Sequence, residues 1–110
     1  MKNFIYTGES IPLVAPYNVA AGGGCLVGSL FTVAKSAALA GAVFEGMSEG
    51  VFDMAKTTGQ SWTQGVKLYW DDTGKLVTTT VGSNKLIGVA TQSQASGDAI
   101  GRTFVMALAA

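Results

Sequence analysis

Residues 66–81, VKLYWDDTGKLVTTTV, decide the fold because they carry the clearest β-hairpin signal in the chain. Two runs rich in β-branched and aromatic residues flank the stretch Asp71-Asp72-Thr73-Gly74, whose residue types favour tight turns. We expect Gly74 to take the left-handed backbone conformation that such a turn needs. This stretch therefore predicts two antiparallel strands and assigns the two adjacent aspartates to turn chemistry.

Further strand-like segments lie on both sides of this hairpin. Apolar runs bounded by turn residues predict strands within residues 25–34 (CLVGSLFTVA), 36–47 after a turn, 49–56, 85–93 and 99–108, with a chain reversal at 96–98. Short strands at such spacing are typical of all-β domains. We predict an all-β fold, a small single-domain barrel or sandwich of about six to eight short strands.

The first 24 residues have a different pattern. Gly8, Pro12 and Pro16 exclude a long helix, and the two prolines restrict strand pairing to sheet edges. Gly22–Gly24 then form a flexible hinge or tight turn. We predict an extended N-terminal arm with a Gly-rich hinge over residues 1–24 and a compact β domain over residues 25–110.

Composition limits the classes of partner. The chain is 48% hydrophobic and only 13% charged, which favours a homo-oligomer or another partner that covers part of the surface. Seven basic and seven acidic residues cancel, and no basic run is present, so we expect no nucleic-acid partner. The chain also has no apolar stretch long enough for a membrane span. Cys25, the only cysteine, is expected to be a buried core thiol, which fits synthesis in a reducing cytoplasm.

Sequence motifs for catalysis are missing. The chain has no histidine, so serine or cysteine catalysis with a histidine base is impossible within it. Its only Gly-Lys pair, Gly74-Lys75, fails as a phosphate loop because Leu76 replaces the hydroxyl residue and Tyr69 replaces the first glycine. We predict no catalytic residue, no cofactor and no metal site, and hence a protein that is not an enzyme.

An ordered set of segments carries a resemblance over nearly the whole chain. MKNFIYTGESIPLVAP, GGGCLVGSLFTVA, EGVFDMAK, VKLYWDDTGKLVTT and IGVATQS follow one another as in the DUF2190 family of phage and prophage proteins. This resemblance implies a capsid decoration (cement) protein that binds the major capsid protein at the surface of the virion and is made in the bacterial host cytoplasm. It also implies a homotrimer, since decoration proteins commonly lie on the three-fold positions of a shell.

Candidate contact residues follow from the arm and from the hairpin. Phe4, Ile5 and Tyr6 could add a strand to a shell protein's sheet edge, or the arm could pair within its own domain or trimer. Of the neighbours Tyr69 and Trp70, one is expected in the core and the other at the surface, and Trp70 is a candidate capsid or subunit contact. Two alternatives stay open: a head-completion or tail-associated component, and a glycan- or host-surface-binding module that uses the tryptophans.

Overall fold

The computed structural model describes residues 10–106, and its regular structure consists of nine β-strands. In chain order they are β1 (Ser10–Val14), β2 (Gly24–Val27), β3 (Leu30–Ala34), β4 (Val43–Met47), β5 (Gly50–Ala55), β6 (Lys67–Asp71), β7 (Leu76–Thr78), β8 (Lys85–Ala90) and β9 (Ile100–Val105). This architecture confirms the predicted all-β class. The nine strands exceed the predicted six to eight because one expected strand is a hairpin and because the predicted arm contributes β1.

The strands form two antiparallel sheets. One has four strands in the order β1-β4-β3-β2, and the other has five in the order β5-β9-β8-β6-β7. Just beyond β5, Lys56 forms a parallel bridge with Val77 of β7, and the Thr57 N–H donates to the Val77 carbonyl at 2.9 Å. The five-stranded sheet therefore curls until its two outer strands meet, which gives a small barrel beside the four-stranded sheet.

The predicted single strand over residues 25–34 is wrong, because this segment folds back on itself as β2 and β3. Val27 pairs with Leu30, so Gly28 and Ser29 make a two-residue turn. Gly28 has a φ of +61°, a conformation that glycine adopts without steric cost. A Gly-Ser pair between two β-rich runs is a known hairpin signal, and it was available in the sequence.

The β6–β7 hairpin is confirmed, but its left-handed residue is Lys75 at φ 59° and not the expected Gly74. The Asp71 carboxylate organises the turn by accepting hydrogen bonds from the Thr73 and Gly74 N–H groups at 3.0 and 3.2 Å. The Lys75 ammonium in turn binds the Asp72 carboxylate at 3.0 Å. These contacts confirm the turn role of both aspartates and hold Lys75 in its uncommon conformation.

The later part of the predicted arm is extended and belongs to a sheet. β1 pairs with β4 from Ser10 opposite Met47 to Val14 opposite Val43, and β1 is an outer strand of its sheet. Pro12 lies within β1, as expected for an edge position. Phe4, Ile5 and Tyr6 lie outside the described residues, so their role as contact residues stays a prediction. The division of the chain into an arm and a domain at residue 24 also stays a prediction.

Two groups of buried side chains form the core. The larger lies in and around the barrel, and the smaller lies on the far side of the four-stranded sheet, where Cys25, Ala34 and Phe44 meet Ala15 and Val19. Phe31 and Val33 of β3 belong to the larger group, whereas Ala34 of the same strand belongs to the smaller one. Each large apolar side chain buried in this way stabilises the fold by about 1.5–3 kcal/mol. Because β3 contributes to both groups, it joins the two halves of the core.

Both tryptophans pack on glycine. A Cβ added at Gly24 would lie 2.6 Å from Cη2 of Trp70, and a Cβ at Gly101 would overlap the ring of Trp62. Only a residue without a side chain allows the rings to approach the backbone this closely. The two glycines therefore position the largest side chains of the barrel core.

Candidate interaction surfaces

A row of apolar side chains crosses the outside of the barrel. Val51 on β5 lies opposite Phe104 on β9, Phe104 lies opposite Val89 on β8, and Val89 lies opposite Lys67 on β6. Val51 is 55% exposed and Phe104 36%. Directly opposed residues share one side of a sheet, so these side chains form a continuous strip across four strands.

A second and a third row extend this surface. Asp53 lies opposite Arg102, and Ala55 lies opposite Ile100, which is 53% exposed. We use the name outer barrel face for these three rows, formed by Val51, Phe104, Val89, Lys67, Asp53, Arg102, Ala55 and Ile100. It is a mainly apolar sheet surface with one ion pair at its centre.

The ion pair is bidentate. Nε of Arg102 donates to Oδ1 of Asp53 at 3.0 Å, and Nη2 donates to Oδ2 at 3.3 Å. These hydrogen bonds hold the pKa of the Asp53 carboxyl below its usual range. The pair therefore contributes to stability at neutral pH, and this contribution is lost as the pH falls through the lowered pKa.

A second apolar surface lies on the four-stranded sheet. Val14 and Val43 lie opposite each other on β1 and β4 and are 56% and 69% exposed. Alternation along β4 places Val43 and Glu45 on the same side as Met47, which packs against the larger core group. This side of the sheet is therefore covered at Met47 and uncovered at its other end.

We use the name overhang for the uncovered end, formed by Val14, Val43, Pro12, Glu45 and Lys35. Ser10 Oγ donates to the Glu45 carboxylate at 2.8 Å, and the Lys35 N–H donates to the Glu45 carbonyl at 2.9 Å. The overhang thus combines two exposed valines with one acid and one base.

A cleft of about 340 Å³ separates the two sheets, with Tyr17 and Gly22–Gly24 on one side and Met54 and Ile100 on the other. The Lys75 ammonium lies 3.9 Å from the centre of the Tyr17 ring, which is a cation–π contact. The Tyr17 hydroxyl donates to the Gly24 carbonyl at 3.2 Å and accepts from the Leu26 N–H at 3.3 Å. The tip of the β6–β7 hairpin is thereby tied to the four-stranded sheet.

Burial raises the pKa of two neighbouring groups, Tyr17 and Cys25. It raises the pKa of Tyr17 to about 12, so the hydroxyl keeps its proton at neutral pH. It also raises the pKa of the Cys25 thiol, and Cys25 is free and fully buried. These properties confirm the expected core thiol, and a raised pKa is the reverse of what activates a cysteine nucleophile.

Lys56 is a buried cation, 2% exposed, at the point where the barrel closes. Its ammonium donates to the carbonyls of Thr57, Ser96 and Asp98 at 3.1, 3.5 and 3.4 Å. It also lies 5.6 Å from the centre of the Trp62 ring. Lys56 therefore joins the end of β5 to the turn before β9, and its role is structural.

The tryptophans are core residues. Trp62 and Trp70 are each 2% exposed, so neither ring presents a face on which a sugar could stack. Tyr69 is partly exposed, which confirms that one of the two neighbours is buried and the other is not. A contact of Trp70 with a capsid protein or a second subunit stays a prediction, and at this burial it would have to run through the residues that cover the ring.

The sequence reading missed the residues of the outer barrel face. The available signal was the strand IGRTFV, in which Ile100 and Phe104 alternate with Gly101, Thr103 and Val105. A half-exposed strand normally carries polar residues on its exposed side, whereas β9 carries the large apolar residues Ile100 and Phe104 there beside Arg102. Large apolar residues on the exposed side of a sheet indicate a surface that another chain can cover.

Residues 10–106 contain no group of three or more His, Cys, Asp or Glu side chains placed to hold a metal ion. No helix in the same range is long and apolar enough to cross a membrane. The outer barrel face and the overhang are candidate surfaces for contacts with other proteins because they expose large apolar side chains.

Comparison with known proteins identifies the family. The family model described as phage cement protein matches residues 5–107, which is nearly the whole chain. No curated protein and no solved structure matches the chain. The all-β architecture and the exposed apolar surfaces fit a protein that works by covering other proteins. The chain belongs to the phage cement protein family, and it is a structural component of the phage capsid.

Proposed function

We propose that this cement protein binds the major capsid protein at the outer surface of the shell and stabilises the shell as a homotrimer, after synthesis in the cytoplasm of the bacterial host. The match of residues 5–107 to the phage cement protein family carries this proposal. The resemblance to the DUF2190 family stays a prediction within it. A chain with 13% charged residues, and with exposed apolar side chains on both sheets, suits a role in which protein contacts cover its faces.

The proposed attachment uses the segment before β1. β1 is an outer strand, and Pro12 within it has no N–H to offer to an added strand. The free edge of β1 is therefore a poor place for another chain to pair. Phe4, Ile5 and Tyr6 precede β1 and carry backbone donors, so we assign to them the added strand on the sheet edge of a capsid protein.

Binding to shells that lack the cement protein tests this assignment. The test compares the full chain with a variant from which residues 2–9 are deleted, a deletion that stops before Ser10 and its hydrogen bond to Glu45. We expect the deletion to abolish binding to the shells and to leave thermal unfolding of the free protein unchanged. Binding of the shortened chain at full occupancy would show that the segment is not the attachment point.

Copy number separates a cement role from a head-completion or tail-associated role. Quantitative mass spectrometry of purified virions gives the ratio of this protein to the major capsid protein. A ratio near one supports the cement role, because decoration follows the repeat of the shell. A ratio of a few copies per particle would assign the protein to a completion or tail structure.

A further inference from the structure

We propose that copies of this chain contact one another head to tail, with the outer barrel face of one copy packed on the overhang of the next. This inference rests on the homo-oligomer of the proposed function and names the two surfaces that would form it. The occupant of each surface is a second copy of the same chain.

Both surfaces are built like one half of a protein interface. The outer barrel face joins Val51, Phe104 and Val89 in one strip, and its central charges are already paired as Asp53 and Arg102. A partner that covers this face therefore buries no unpaired charge at its centre. Arginine is enriched at protein interfaces, and its bidentate pairing with Asp53 satisfies the charge of both groups.

The overhang continues a packing surface of the core. The side of β4 that carries Val43 also carries Met47, which already packs against the larger core group. Val14 and Val43 extend this apolar side beyond the barrel and are left exposed. A second copy that docks there continues the packing that the barrel begins.

The presence of two unlike surfaces favours head-to-tail contact. A two-fold dimer needs one surface that meets itself, whereas a ring needs two different surfaces that meet each other. In residues 10–106 the outer barrel face and the overhang lie on different sheets, so together they supply both halves of a ring contact. A cyclic trimer then buries both surfaces of every copy.

Charge also favours the unlike contact over self-pairing of the outer barrel face. That face has two bases, Lys67 and Arg102, and one acid, Asp53, so two copies of it carry a net charge of +2. The overhang has one base, Lys35, and one acid, Glu45. Among residues 10–106 neither Lys67 nor Glu45 takes part in a salt bridge, so each is available to the other across the contact.

Three matched valine-to-lysine variants test the contact. Val51→Lys changes the outer barrel face, Val43→Lys changes the overhang, and Val81→Lys changes a residue outside both surfaces; these valines are 55%, 69% and 57% exposed. We expect V51K and V43K each to weaken self-association by about tenfold or more, because a new charge must be desolvated in an apolar contact. V81K is expected to assemble like the unmodified chain, and all three are expected to unfold at the same denaturant concentration when monomeric.

An equimolar mixture of V51K and V43K gives the sharper result. V43K keeps an intact outer barrel face and V51K keeps an intact overhang, so we expect the mixture to form dimers with one copy of each, visible by native mass spectrometry. Assembly of either single variant like the unmodified chain would overturn the inference, as would a mixture that stays monomeric or an unmodified chain that never associates. Shell binding measured on the same variants is a separate readout, so a failure of the head-to-tail contact can be told from a failure of the cement role.

Discussion

At the scale of single residues, glycines under aromatic rings control the packing of the barrel. The rings of Trp62 and Trp70 lie directly on Gly101 and Gly24. Phe31 packs against Trp70 with ring centres 4.9 Å apart. A protein interior is close-packed, so even one added methyl group at such a glycine must displace a ring.

The first prediction concerns Gly101. We expect Gly101→Ala to lower the free energy of unfolding by about 1–3 kcal/mol, because the new methyl group overlaps the Trp62 ring. Gly97→Ala is the matched control, since Gly97 has open space around its Cβ position and no positive φ. Urea unfolding followed by tryptophan fluorescence measures both variants. An unchanged midpoint for Gly101→Ala would mean that the ring moves aside at no cost.

The second prediction concerns Tyr17 and alkaline pH. An unfolded tyrosine has a pKa near 10, whereas the folded state raises the pKa of Tyr17 to about 12. The folded chain therefore holds this proton more tightly, and the resulting stability is present below about pH 10 and is lost as the pH rises towards 12. We expect Tyr17→Phe to be less stable than the unmodified chain at pH 8 and this difference to shrink by pH 11.

Alkaline effects elsewhere in the molecule act on both proteins alike, so they cancel in the difference between Tyr17→Phe and the unmodified chain. Thermal unfolding from pH 8 to 11 measures both proteins. A Tyr17→Phe difference that stays constant over this range would refute the coupling between the hydroxyl proton and folding.

At the scale of elements, strands with clear turns could be predicted from the sequence and strands with weak turns could not. β4, β5, β6, β7, β8 and β9 all fall within predicted segments, because apolar runs and turn residues agree there. The turn at Gly28-Ser29 was missed because two small residues within a continuous apolar run look like part of a buried strand. The left-handed position falls on Lys75 and not on Gly74 in a turn of four residues between the paired Asp71 and Leu76, where the Lys75 N–H donates to the Asp71 carbonyl at 2.7 Å.

The candidate surfaces could be predicted only in part, because they depend on which strands become neighbours. The strip that joins Val51, Phe104 and Val89 requires β5 to lie beside β9, and residues as far apart in the chain as Val51 and Phe104 carry no local mark of that pairing. Composition did indicate that some surface must be covered. The order in which the strands pair decides which surface stays exposed.

The third prediction concerns the β2–β3 turn. The Gly28 Cβ position has open space around it, so any cost of substitution comes from the backbone alone. We expect Gly28→Ala to destabilise the fold by about 1–2 kcal/mol and Gly28→Asn to destabilise it less, because asparagine tolerates a positive φ better than alanine does. Denaturant unfolding of the two variants checks this order. Equal stabilities would mean that the turn can change to another type.

At the scale of the whole molecule, the two core groups are joined through β3. Trp62 and Trp70 lie in the larger group, and Cys25 lies in the smaller one. The hydrogen bonds of Tyr17 and the contact of its ring with Lys75 add a second link between the two sheets. We therefore regard the described residues as one cooperative unit.

The fourth prediction tests this cooperativity with two natural reporters. In a urea titration, we expect tryptophan fluorescence and the reactivity of Cys25 towards a thiol reagent to change at the same urea concentration, because neither core group can open alone. A fully denatured sample provides the control for maximal labelling. Labelling of Cys25 well before the change in fluorescence would show that the four-stranded sheet unfolds independently.

Pro12 limits how neighbouring copies of this chain can pair with one another on the capsid surface. A decorated capsid holds many identical chains at a very high local concentration, which is the condition under which exposed strand edges recruit one another into fibrous aggregates. β1 offers such an edge, yet its central residue is a proline, so a continuous ladder of backbone hydrogen bonds cannot grow from it. The same residue that makes the free edge of β1 a poor place for an added strand therefore also allows neighbouring copies to remain close without polymerising.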